Sequence, residues 1–143
     1  MFIGRYANNM DDKGRVNIPA QMRDTLRTEF NDTRLIITLD TYDNCLRAYP
    51  LQEWNKLLEK LRQLPSTEPN VRAFTRRVVS SAFESTPDKQ GRVLLAPTLR
   101  EHAQLSKSVV FAGSNNTFEI WDDQLLKQMD SNLDPVALAG FGI

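Results

Sequence analysis

Two arginines each stand just after a glycine and four residues beyond an aspartate: Asp11…Gly14-Arg15 and Asp88…Gly91-Arg92. This spacing allows two kinds of chemistry. An arginine presented beyond a tight turn can donate paired hydrogen bonds to phosphate, or to the O6/N7 edge of guanine in a major groove. The same arginine can instead face the aspartate across the turn, as an opposite-charge pair that only fastens a hairpin. On the residues alone both readings stand. The first copy adds Lys13 beside Gly14, with Arg5 on the strand before the turn. The second copy has Gln90 where the first has Lys13, which predicts a weaker contact there. Glycine at position 14 or 91 supplies a left-handed turn end and lets backbone come close to a phosphate.

Catalysis lacks its residues. His102 is the sole histidine and Cys45 the sole cysteine, so no second imidazole is present for a metal site. No G-x-S-x-G, P-loop or G-x-G-x-x-G motif occurs. Asp11 and Asp12 read as turn formers rather than an acid–base pair. His102, beside Glu101, is expected at the surface or half-buried, and Cys45, in an apolar stretch, as a buried thiol. We therefore expect no enzyme, no cofactor, no metal and no small-molecule substrate.

The turns belong to an internal repeat. Asp11–Arg23 and Asp88–Arg100 align without gaps 77 residues apart, with identities at Asp11/Asp88, Gly14/Gly91, Arg15/Arg92, Val16/Val93 and Arg23/Arg100. Around the first turn, residues 4–10 read as an extended segment with Tyr6 inward, and 15–18 as a strand. Pro19 then opens a helix over 20–28 at its first position. Residues 34–39 and 45–49 read as a second hairpin. Pro50 opens an amphipathic helix with Leu51, Trp54, Leu57, Leu58 and Leu61 on one face. Residues 64–70 break it. A helix from Val71 is expected to turn Phe74 and Val78 inward and Arg72, Arg76 and Arg77 outward. The plan then repeats: strand 82–85 with Phe83 in the place of Tyr6, turn 88–91, strand 92–95, and a helix at Pro97. The proline has moved one column, with Ala96 opposite Pro19, so the second helix start is expected to shift by one residue. Strands follow at 108–112 and 118–121, the latter matching 46–49 at an offset of 72. Asp122 is placed to cap a last helix. The apolar, glycine-punctuated stretch 135–143 is expected to be mobile or docked on a neighbour.

Each half is too small for a core of its own. The fold expected is α+β: two tandem half-repeats of β-hairpins and short helices, packed about a pseudo-two-fold axis into one domain. The boundaries read as 5–51 for the first repeat, 52–76 for the helix, break and start of the second helix, 81–124 for the second repeat, and 125–143 for the C-terminal helix and tail.

Net charge is zero over 143 residues, but it is unevenly spread. Residues 1–107 carry +4 and residues 108–143 carry −4, and 12 of the 18 basic residues are arginine, the residue suited to bidentate contacts. No apolar run reaches the roughly 20 residues of a membrane span. No signal-peptide pattern opens the chain, and a cytoplasmic protein is expected.

At these residues the chain resembles the MraZ family, bacterial transcriptional regulators of the SpoVT/AbrB-like fold. The resemblance rests on Met1-Phe2-x-Gly4, the two Asp-x-x-x-Arg motifs and Lys13-Gly14-Arg15-Val16-x-Ile18-Pro19-Ala20. It extends to Cys45-Leu46-x-x-Tyr49-Pro50-x-x-x-Trp54 and Glu119-Ile120-Trp121, and so runs from Met1 to about Leu126. It implies a DNA-binding regulator, a repressor of the division and cell wall gene cluster and of its own expression. It also implies a ring-shaped homo-oligomer on promoter direct repeats, associated with the nucleoid. Lys13, Gly14 and Arg15 would lie at the DNA-contacting turn and Arg92 at its second-half counterpart, with Asp11, Asp88 and Gly91 structural. The alternative from the residues is an interaction module whose Asp-x-x-x-Arg motifs only staple hairpins.

Overall fold

The computed structural model describes residues 1–143. Its strands are β1 (Arg5–Asn9), β2 (Arg15–Asn17), β3 (Leu35–Leu39), β4 (Leu46–Pro50), β5 (Phe83–Ser85), β6 (Arg92–Leu94), β7 (Ser108–Ser114) and β8 (Thr117–Asp122). Its helices are α1 (Ala20–Glu29), α2 (Leu51–Arg62), α3 (Pro69–Phe74), α4 (Pro97–His102) and α5 (Asp123–Met129), with one π-helical turn, Thr75–Val79, continuing α3. Asp122 caps α5 by accepting from the Leu125 amide. Pro19 and Ala96 both occupy the cap position in extended conformation, so α1 and α4 begin in the same column and the expected one-residue shift does not occur. Pro19 precedes its helix rather than starting it, and Pro97 is the proline at a first helical position.

The sheet order shows how the repeats combine. Six antiparallel strands run β1-β7-β8-β4-β3-β5, and β2 and β6 form a separate two-stranded ribbon. The segments flanking each glycine turn do not pair with each other as a hairpin. Instead β1 pairs with β7 of the second half and β5 with β3 of the first, while β4 pairs with β8 and β2 with β6. The halves are interleaved, each supplying the edge strand that the other lacks. The β3–β4 and β7–β8 pairs are hairpins.

Period-2 patterning explains the layers. Leu35, Ile37, Leu46, Ala48, Val109, Phe111, Phe118 and Ile120 face one side of the sheet. There they meet Met22 and Leu26 of α1, Leu99 of α4, and Val16 and Val93 of the ribbon in a single core. On the other side, Ile36 packs with Trp54 and Val78, and Val110 and Trp121 pack with Leu126. Phe2 is buried, stacks on Phe30 and meets Phe118 edge-on, with ring centroids 5.7 and 5.1 Å away. Phe83, by contrast, is 46% exposed, because β5 is a short edge strand.

Candidate nucleic-acid interface

Both glycine turns close in the same way. In the first, the Gly14 amide donates to the Asp11 carbonyl (3.0 Å) and the Asp11 amide to the Arg15 carbonyl (2.9 Å). The Asp11 carboxylate accepts from the amides of Lys13 and Arg15, both at 2.9 Å, and from Arg15 Nε at 2.7 Å. In the second, Asp88 accepts from the amides of Gln90 and Arg92 at 2.9 Å and from Arg92 Nε at 3.1 Å. The adjacent arginine amide, then the other turn donors, hold each carboxyl below the usual carboxylate range. The Asp–Arg pair therefore forms in both copies. It takes only Nε: neither arginine's Nη groups donate to any protein acceptor.

The ribbon fixes where those Nη groups point. Val16 sits opposite Val93 with both side chains buried, so alternation turns Arg15, Asn17, Arg92 and Leu94 to the outer face. Arg15 lies opposite Leu94 and Asn17 opposite Arg92, so the two arginines stand at diagonal corners. Each turn also leans on the other half. The Leu95 amide donates to the Gly14 carbonyl and the Ile18 amide to the Gly91 carbonyl, both at 2.9 Å.

The last identical column completes the unit, and nothing in the spacing announced its role. Gly14 and Gly91 have φ of 88° and 81°. A Cβ on Gly14 would stand 2.8 Å from Arg100 Nε, and one on Gly91 2.6 Å from Arg23 Cζ. Arg100 Nε is held by the Leu95 carbonyl (3.1 Å) and Arg23 Nε by the Ile18 carbonyl (3.0 Å). Each turn thus carries a second arginine from the opposite half: Lys13, Arg15 and Arg100 at one, Lys89, Arg92 and Arg23 at the other. Gly91→Ala should destabilise the protein by about 1–2 kcal/mol through the left-handed backbone alone, with more as Arg23 is displaced. A thermal melt reads this directly.

Arg5 lies elsewhere. Its Nη1 and Nη2 donate to the two carboxylate oxygens of Asp130, both at 2.7 Å, so one acid of the C-terminal region folds back onto β1. Arg77 also differs from expectation. Within the wider π turn it faces inward, donating to the Asp40 carbonyl (3.0 Å) and lying 3.3 Å from His102 Nε2. Burial, then the Arg77 charge, lowers the His102 pKa.

One further polar cluster occurs. Asp40, Cys45 and Glu119 offer donor atoms within 4.8 Å of one another. Arg47 already binds both carboxylates at 2.7 Å and also Thr117 Oγ1 at 2.8 Å. Burial pushes the Cys45 thiol far up, away from the thiolate that a metal requires. The cluster suits a structural ion-pair network.

Comparison with known proteins converges on one family. A model described as "MraZ protein, putative antitoxin-like" matches the chain twice, over residues 1–77 and 78–136. A protein of Desulfitobacterium hafniense, named transcriptional regulator MraZ, is 46% identical over 87% of this chain and 83% of its own length. Identically named proteins of Psychromonas ingrahamii and Pediococcus pentosaceus are 44% and 40% identical. They are matched over 92% and 100% of this chain, and over 86% and 100% of their own.

Proposed function

The chain belongs to the MraZ family, and on that premise we propose that it is a transcriptional regulator that binds duplex DNA through the β2–β6 ribbon and its two basic turns. One observation carries this reading: Asp11 and Asp88 engage Nε of Arg15 and Arg92 and leave both Nη forks outward on one face. An aspartate that holds the arginine's stem orients its fork in advance, which lowers the entropy cost of a bidentate contact. The staple and the DNA contact are therefore two uses of one side chain.

In this reading Arg15 and Arg92 meet base edges, Lys13 a phosphate, and Gly14 lets the turn approach the backbone. Arg5 joins only by exchanging Asp130 for a phosphate. Following the family resemblance, the protein represses the division and cell wall gene cluster and its own gene. It does so as a homo-oligomeric ring on promoter direct repeats, in the cytoplasm at the nucleoid. Several protomers on repeated sites would offset the zero net charge of each, because linked sites strengthen binding by about 10²–10⁴. No helix is long and apolar enough to cross a membrane.

Fluorescence anisotropy on a duplex from the chain's own upstream region, against a scrambled duplex, tests the reading. Specific binding should weaken steeply with salt. Lys13→Ala should flatten the log-affinity against log-salt slope by about one unit per engaged protomer, with little change in sequence preference. Equal affinity for both duplexes at every salt concentration would sink the proposal.

A further inference from the structure

The apolar face of α2 is only partly covered. Leu57, Leu61 and Leu64 meet Val71 and Phe74 of α3 in a groove of two adjoining depressions, 420 and 360 Å³. Lys60, Arg62, Arg72 and Arg76 rim it, and no carboxylate lines it. Of these four cations only Arg62 has an acidic partner, Glu59 at 2.9 Å.

The C-terminal segment is the complement. Residues 130–143 contain Asp130 and Asp134 and no lysine or arginine. Leu133, Val136, Phe141 and Ile143 are 66–89% exposed and touch no core. Pro135–Phe141 forms a 3-10 turn. This segment starts where Asp130 is pinned to Arg5 on the outermost strand β1. The groove lies across the sheet, over β3 and β4, with β7 and β8 between.

We propose that residues 133–143 of one copy dock in the α2–α3 groove of a second copy, apolar side chains inward and Asp134 toward the basic rim. Burying four large apolar side chains against an apolar groove is the driving term, and the opposite charges set the register. A protein with a projection on one edge and its receptor on the other associates head to tail, and such contacts close into a ring when the rotation permits. The inference rests on the homo-oligomer part of the reading above and not on DNA binding.

The test uses the full chain and two single-cysteine additions, Leu64→Cys and Phe141→Cys, since buried Cys45 does not compete. Mixed under mild oxidation, the two variants should form a heterodisulfide between chains. Phe141→Asp should lower the native mass to that of a smaller species, and Leu61→Asp should do the same from the groove side. Three results would overturn the proposal: an internal disulfide in the Leu64→Cys/Phe141→Cys double variant, efficient Leu64→Cys homodimers, or unchanged mass in both aspartate variants of an oligomeric parent. A parent that is monomeric at every concentration would sink the oligomer reading itself, and this inference with it.

Discussion

Arg15→Ala should abolish most operator preference while leaving the fold in place. A good bidentate contact to guanine discriminates by about 1–3 kcal/mol, roughly 5- to 150-fold for each protomer. The effect on a multivalent assembly is correspondingly larger. Little fold stability should be lost, because the Asp11 carboxylate keeps its bonds from the Lys13 and residue-15 amides and Val16 stays buried. The measurement is paired: anisotropy on specific and scrambled duplexes, with a thermal melt of the same sample. A large fall in melting temperature with unchanged specific affinity would leave the arginine a staple and nothing more. Arg92→Ala should act in the same direction, and the ratio of the two effects reports how far Gln90 weakens the second turn.

Arg47→Met should produce the largest loss of stability of any single change considered. Asp40 is 2% exposed, and it accepts from Arg47 Nε and from the amides of Asp43 and Tyr42. Removing the guanidinium strands this carboxylate near Glu119, and breaking a buried pair from one side costs about 3–5 kcal/mol. For a chain of this size that amounts to a melting-temperature drop on the order of 10 °C or more. The pH dependence follows from Asp40. Burial alone would raise its pKa, but the Asp43 amide and the Arg47 charge outweigh burial and leave it below the ordinary value of 3.8. Its stabilising contribution is therefore present above that value and is lost as pH falls through the folded one. The gap between parent and Arg47→Met should be widest near neutrality and should narrow as pH falls. The narrowing should begin above the ordinary value of 3.8, where the unpaired buried Asp40 of the variant takes up its proton, and end below it, where the parent's does. Melts at pH 7, 4 and 3 would show it, and a gap that stays constant would remove Asp40 from the account.

Much of the molecule was legible because its signals are local. Asp11 and Arg15 are four residues apart and do meet. The α2 stripe from Leu51 to Leu61, the β3–β4 hairpin and the Asp122 cap all follow from neighbours within one or two turns of chain. What stayed hidden depends on residues far apart in sequence. That Arg100 lies on Gly14, that Asp130 holds Arg5, and that Arg47 joins Asp40 to Glu119 requires the interleaved sheet. Periodicity reports which face of a strand is apolar and says nothing of which strand lies beside it. Arg77 was misplaced for a different reason: helical spacing assumes a regular period, and the π turn breaks it.

Interleaving also governs when the chain can fold during synthesis. Arg5 sits opposite Ala112, so β1 has no partner until nearly four-fifths of the polypeptide exists. At about 5–20 residues per second, several seconds separate completion of β4 from completion of β7. Until residues 92–100 are made the ribbon lacks β6, the turn at Gly14 lacks Arg100, and the core face of β3 and β4 has only α1 for cover. High contact order makes folding slow, and here it also makes it late. A prematurely terminated product ending before β6 would leave Arg15 without Leu94 opposite it and so in no defined register, so operator recognition should be confined to chains that extend past the second glycine turn.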